Sequence, residues 1–378
     1  MEIKYCKECV QPDTRPGIKF DSKGVCGPCN YYKTLKNVNW NQRRKQLDKH
    51  VAWCKDRTTD EGYDCIISVS GGKDSTRQAM IAKEFGLNPL LVSTVNPPEM
   101  QSDIGVSNLD NLMKLGFDII TVEPDPIVFK KLMKKAFIKY GNYGKSTELT
   151  LYASAPRLAL AYGIKMIFLG ENNSLVYGEE IECEDGGDAS DMVNYNTLGG
   201  GGVEWMTDKE NETLYENLFP YQYPNKKALK DNGIKIVYLG YYIEDFNNIS
   251  NGKIAIKNGL SVRNVPQEYT GCVHNFDALD EDFVHINQMI KYFKFGFGKA
   301  TDEVCELIRM GIKTRKEGLK IVQRLDGMCH DSYIDIFCKY LEISENEFWN
   351  IANKYRNRGL WRKVDNNWSL KHKVGGQF

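Results

Sequence analysis

Between residues 65 and 240 short apolar runs alternate with longer stretches whose apolar positions recur every three or four residues. Cys65–Val69, Pro89–Val95, Asp118–Val122, Lys165–Leu169 and Ile234–Leu239 read as strands. Between them Ser75–Phe85 reads as a helix that Gly86 is placed to end. Val106, Leu109, Leu112 and Met113 mark a second helix, Val128, Leu132 and Ala136 a third, and Leu151–Tyr162 a fourth. Strands and helices alternating at these lengths specify a doubly wound α/β fold, a parallel sheet covered on both faces. Ligands in such sheets sit at the carboxyl ends of strands, near the point where strand order reverses. That brings together the loops Ser70–Ser75, Thr94–Pro98 and Gly170–Asn173.

The pattern changes on either side. Residues 33–60 are polar, with Leu35, Trp40 and Leu47 interspersed, and read as a connecting helix and linker with a solvated charged face. Residues 178–203 are acidic (Glu179, Glu180, Glu182, Glu184, Asp185, Asp188, Asp191) and then run through Gly199–Gly202. They read as a long mobile loop, either a lid over substrate or a solvated insertion. After residue 271 the chain reads as mostly helical. Thr301-Asp302-Glu303 forms a helix start, and Ser344 to Glu347 a capping box. The two helices meeting near Glu342–Ser344 read as ordinary packing rather than a DNA-reading pair, and 371–378 as a loose tail. The expected units are 1–35, 36–60, 61–270 and 271–378.

Fifty basic and fifty acidic residues cancel, which argues against a nucleic-acid-coating surface. No apolar run is long enough to span a membrane, and Met1–Tyr5 lacks the apolar core of an export signal, so a cytoplasmic location is expected. Cys6-x-x-Cys9 and Cys26-x-x-Cys29 have the spacing of a tetrahedral four-cysteine zinc ribbon, with Pro12, Pro16, Gly17, Gly24, Gly27 and Pro28 supplying its turns. A closed site of this kind is structural. The other cysteines (54, 65, 183, 272, 305, 329, 338) form no C-x-x-C pair.

The most informative stretch is Ser70-Gly71-Gly72-Lys73-Asp74-Ser75, a glycine turn between a strand and a helix. The first N–H groups of a helix lack intrahelical partners and carry the positive end of its dipole, so such a turn is a ready anion site. Gly71 and Gly72 let backbone approach a phosphate. Ser70 and Ser75 add hydroxyls, Lys73 adds a cation, and Asp74 is available to hold Mg2+ or to order the loop. Walker spacing is absent. The motif S-G-G-x-D-S resembles the PP-loop of the ATP pyrophosphatases (adenine nucleotide alpha hydrolase-like fold), which adenylate an oxygen and release pyrophosphate. Gly170 and Glu171, at the end of the fourth strand, are further candidates to contact the nucleotide.

Over most of its length the chain resembles one subgroup, the N-acetyl sugar amidotransferases that install acetamidino groups on pseudaminic acid and on O-antigen mannuronic-acid derivatives. The likeness rests on Tyr5–Val10, Pro12–Gly17, Gly24-Val25-Cys26, Ser70–Ser75, Asn96-Pro97-Pro98, Ser102–Gly105 and Lys294–Asp302. Where many relatives carry Arg, this chain has Lys299, which keeps the charge and loses the bidentate fork. The resemblance implies an AMP- and pyrophosphate-forming ligase, with ATP, Mg2+ and structural Zn2+. An acetamido oxygen of a sugar or nucleotide sugar takes up AMP, and ammonia then displaces it. Ser70, Gly71, Gly72, Lys73 and Ser75 would hold phosphates and Asp74 would face Mg2+; Lys73 and Asp74 are the candidate catalytic residues. No cysteine follows Met1 directly, so no N-terminal-nucleophile glutaminase is expected, and ammonia would come from a separate glutaminase or from solution. The rival readings are a tRNA-modifying PP-loop enzyme (a thiolase or a lysidine-type ligase) and a non-enzymatic docking module.

Overall fold

The computed structural model describes residues 3–59, 61–170, 178, 187–190, 201–207, 215–365 and 367–376. Five strands, β1 (Cys65–Ser68), β2 (Pro89–Thr94), β3 (Asp118–Val122), β4 (Met166–Leu169) and β5 (Lys235–Tyr238), form an all-parallel sheet in the order β3-β2-β1-β4-β5. This is the doubly wound sheet expected from the apolar pattern. Strand order reverses at β1, which pairs with β2 on one side and β4 on the other.

Side-chain alternation divides the core between the two faces. Ile66, Leu90 and Ile167 pack with Phe129, Leu149 and Ala155, from α5 (Pro126–Tyr140) and α6 (Gly144–Tyr162). Cys65, Ile67, Leu91 and Phe168 pack on the other face. They meet Leu47 of α2 (Trp40–Lys55), Ala79 and Ile81 of α3 (Lys73–Glu84), and Leu112 of α4 (Asp103–Lys114). Helix starts follow local chemistry. The Ser102 hydroxyl accepts from Gly105 N at 2.9 Å to begin α4, and Asp125 accepts from Ile127 N and Val128 N to begin α5.

The ribbon segment carries α1 (Gly27–Thr34), and α7 (Lys226–Asp231) precedes β5. Beyond β5 come α8 (Asn248–Lys257), α9 (Val284–Phe295), α10 (Lys299–Arg309), α11 (Arg315–Leu325), α12 (Asp331–Leu341) and α13 (Glu345–Lys354). An antiparallel hairpin, β6 (Trp361–Val364) and β7 (Asn367–Leu370), closes this region, which was expected to be mostly helical with a loose tail. Phe337 and Phe348, on the two helices flanking Glu342–Ser344, are buried against Phe137 and pack as core helices. The capping box at Ser344 and Glu347 forms. The first core helix starts two residues earlier than its pattern suggested, at Lys73, so Lys73 and Asp74 occupy its first turn. The helix after Phe297 likewise starts at Lys299, and Thr301 donates its hydroxyl to Asp326 instead of capping it. Most of 178–203, including the acidic cluster apart from Asp188, lies outside the described residues. No helix among the described residues is long and apolar enough to cross a membrane.

Glu281 lies under this helical region, and its Oε1 accepts from the Tyr143 hydroxyl at 2.5 Å. Burial, with Asp280 adding, pushes its pKa up to about 8. A carboxyl raised in the folded state binds more protons folded than unfolded, so its contribution to stability falls as pH rises from its unfolded value through 8. The stability difference between Glu281→Gln and wild type, followed by denaturant unfolding, should therefore shift in the variant's favour from pH 5 to pH 8. A pH-independent difference would contradict burial of this carboxyl.

Candidate functional site

The loop leaving β1 is shaped by its glycines. Gly71 has φ +79°, and a Cβ there would stand 2.9 Å from Leu109 N and 3.1 Å from Asn108 C, both α4 backbone. Gly72, the residue before α3, has open space instead, with only the Ser70 Oγ near at 3.4 Å. No side chain caps α3, and its first turn faces the loop. The Ser75 and Thr76 hydroxyls both donate to Gly72 O, at 3.0 and 2.9 Å, and so hold the turn closed, while Ser70 is exposed.

Lys73 is buried and pairs with Asp74 Oδ2 at 3.0 Å and with Asp277. Burial alone would lower its pKa, but the two carboxylates outweigh that and hold it above the usual lysine range. Asp277 also accepts from Asn248 Nδ2 at 3.0 Å and faces Lys299 Nζ at 3.5 Å. Burial opposes its charge, yet Lys299 and Lys73 hold it well below the usual carboxylate range. Glu303 is different: burial pushes it well above the usual range, against the pull of Lys299. Its Oε2 accepts from Val273 N at 2.5 Å. Buried Lys73 and partly exposed Lys299 thus share the buried carboxylate of Asp277, while Asp74, the other partner of Lys73, is half exposed. That arrangement favours an anion.

Two cavities meet here. The smaller, about 270 Å³, lies between the ends of β1 and β4, the start of α3 and the flank of α6; Ser70, Ser75, Gln78 and Tyr152 are among its walls. The larger, about 590 Å³, is enclosed by Arg15 and Trp40 on one side, Asn248 and Asn251 on α8, and Lys299 and Arg309 on α10. Asp74 and Gly170 line both. A Cβ on Gly170 would stand 2.1 Å from Gln78 Nε2, so the Gln78 side chain occupies the space beside the end of β4. Glu171 lies outside the described residues, as do Asn172 and Asn173.

Asp277, Glu303 and Asn251 were not legible as site residues, and Gln78 was not read as one. Asp277 is 204 positions from the lysine it binds, with no motif of its own. Gln78 was recoverable: it lies one turn after Asp74 on the same helix face.

Sγ of Cys6, Cys9, Cys26 and Cys29 lie within 4.8 Å of one another and are buried. A tetrahedron with Zn–S arms of ~2.3 Å has edges of about 3.8 Å. The Cys9–Cys26 and Cys6–Cys29 separations, 3.7 and 4.0 Å, match that edge. Cys26 N (3.3 Å to Cys6 Sγ) and Gln11 N (3.5 Å to Cys9 Sγ) donate to sulfur, as suits thiolate ligands. The donor set therefore fits zinc with no open position. The ribbon is also a wall of the larger cavity. Arg15 pairs with Asp302 and lies 4.8 Å from the Phe297 ring centroid, and Thr14 donates to Phe295 O at 2.5 Å.

Residues 270–374 match the family model described as "LPS biosynthesis protein WbpG-like, C-terminal domain", which fits the sugar-amidotransferase resemblance read from the sequence. No curated protein matches. Among solved structures, one from Methanocaldococcus jannaschii, described as a predicted subunit of tRNA methyltransferase, is similar at 16% identity. The similarity covers 51% of this chain and 73% of that one, with a TM-score of 0.26, too low to carry an argument.

The two loop glycines should fail differently. Gly71→Ala forces a side chain into the left-handed region against backbone and should destabilise the protein by about 1–2 kcal/mol in denaturant unfolding. Gly72→Ala should unfold as wild type does and bind ATP about tenfold more weakly by calorimetry, because the methyl occupies the space an anion would use. Unchanged ATP affinity in Gly72→Ala would contradict this use of the turn.

Proposed function

We propose that the chain is an ATP-dependent amidotransferase that converts the N-acetyl (acetamido) group of a bacterial sugar or nucleotide sugar into an acetamidino group, in surface-glycan biosynthesis. The observation that carries this reading is the junction at Asp74 and Gly170, residues that line both a small cavity on the S-G-G-K-D-S turn and a large one beside it. A nucleotide in the first and an acetamido sugar in the second would meet at that junction. The match of the C-terminal region to a domain of an LPS biosynthesis protein supports the biosynthetic setting.

ATP is a substrate here. The acetamido oxygen attacks the α-phosphorus; the O–P bond forms, the bond to the β-phosphate oxygen breaks, and pyrophosphate leaves. Ammonia adds to the activated carbon, a proton is lost, the C–O bond breaks and AMP departs, leaving an acetamidino group. Oxygen leaves poorly from an amide and well as AMP, so the protein's work is to position the reactants and to stabilise phosphate charge. The turn 70–75 and the start of α3 supply N–H donors, and Lys73 and Lys299 supply positive charge beside them. Asp74, half exposed at the junction, is the carboxylate available to Mg2+. No side chain is assigned as general base. Ammonia would come from a separate glutaminase or from solution, and zinc would hold the ribbon against the substrate cavity.

Incubation with ATP, Mg2+, ammonium and a panel of acetamido sugars and nucleotide sugars should give a product about one dalton lighter (NH for O), with AMP and pyrophosphate in equal amounts. Release of ADP, or no amidine from any acetamido substrate, would refute the reading.

A further inference from the structure

We infer that Asn251 receives the N–H of the substrate's acetamido group and so sets the direction of the reacting oxygen. The inference deepens the amidotransferase reading and rests on it.

Asn251 lies in the first turn of α8, is 1% exposed and lines the larger cavity. Its Nδ2 donates to Asp74 Oδ1 at 2.8 Å. A carboxylate only accepts, so this bond fixes which end of the amide is nitrogen. The other end, Oδ1, is buried with no hydrogen-bond partner among the described residues. A buried amide oxygen left unpaired is costly, and buried polar groups of this kind are normally satisfied. Asp74 lines both cavities, so the Asn251 amide, held to it through Nδ2, stands one hydrogen bond from the junction.

Only a donor can satisfy Oδ1, and an acetamido group carries one donor. In a trans secondary amide the N–H and C=O point in opposite directions. A substrate donating its N–H to Asn251 therefore turns its oxygen away from α8, in one fixed direction. The contact also acts on reactivity. As the oxygen bonds to phosphorus, positive charge develops on the amide nitrogen, so its hydrogen bond to Oδ1 strengthens on the way to the transition state. The Asp74 carboxylate on the far side of the Asn251 amide polarises it, which makes Oδ1 a better acceptor. Selectivity follows: a site built around a substrate N–H rejects an analogue that lacks it.

The test compares the acetamido sugar that wild type converts to the amidine with its O-acetyl counterpart, which lacks the N–H. Both are titrated calorimetrically into wild type, Asn251→Ala and Asn251→Leu. Wild type should prefer the acetamide by about tenfold or more. Each variant should bind the acetamide about as weakly as the ester while binding ATP within about twofold of wild type. The wild-type comparison deletes the N–H without altering the protein, so it decides the matter even if a variant fails to fold. Amidine formation by wild type with no preference for the acetamide, or a preference that survives in both variants, overturns the role of Asn251 and leaves the reaction standing. Absence of amidine from every acetamido substrate instead overturns the reaction, and this inference with it.

Discussion

A lysine buried between two carboxylates holds this site together. Lys73 stands in the first turn of the helix after the glycine loop, and its partner Asp277 lies 204 positions later, beyond the last strand of the sheet. Removing one member of a buried ion pair typically costs about 3–5 kcal/mol, because it strands the other, whereas the intact pair adds little net stability. The pair therefore fixes where the C-terminal region sits on the sheet more than how stable the fold is. Lys299, at the start of α10, joins the same carboxylate, and Asn248, at the start of α8, donates to it. One buried anion thus gathers three separate helix starts around the loop.

The ribbon is bound into the same assembly. Val10 and Val25 share a core with Val304, Cys305 and Val322, from α10 and α11. Arg315 donates its Nε–H toward the carbonyls of Cys6 and Cys9, at 3.2 and 3.0 Å. The first residues of the chain and its last third form one wall of the larger cavity, with Arg15 and Asp302 paired across them. A closed zinc site has no chemistry to offer a substrate directly. An ion held there would act geometrically, because fixing the knuckles would fix Thr14 and Arg15, and these contact the Phe295–Phe297 turn that precedes Lys299.

What could be read from the sequence was local. The strands were legible because each is a short apolar run beside a turn, and the cysteine pairs and the glycine loop because their spacing carries geometry. The rest was written in contacts between distant positions. Asp277, Glu303 and Asn251 look like ordinary residues of helices and loops, and only folding shows that they are buried beside Lys73 and Asp74. The start of α3 was placed late because Lys73 and Asp74 are polar and broke the apolar period, although their polarity is what the site uses. Thr301 was read as a cap because its neighbours are acidic, yet Asp326 takes its hydroxyl. The terminal hairpin was missed because its strands are only four residues each, with Trp361 alone buried among those of β6.

The proposed reaction requires the turn between Val69 and Thr76 to grip a triphosphate with the α-phosphate at the junction of the two cavities. The most direct measurement is a crystal structure with α,β-methylene-ATP and Mg2+. Phosphate oxygens should lie on the N–H groups of Gly72 to Ser75, with the nucleoside in the smaller cavity beside Gln78 and Tyr152. Nucleotide bound elsewhere, with that turn empty and Gly72 still facing open space, would contradict the proposed reaction.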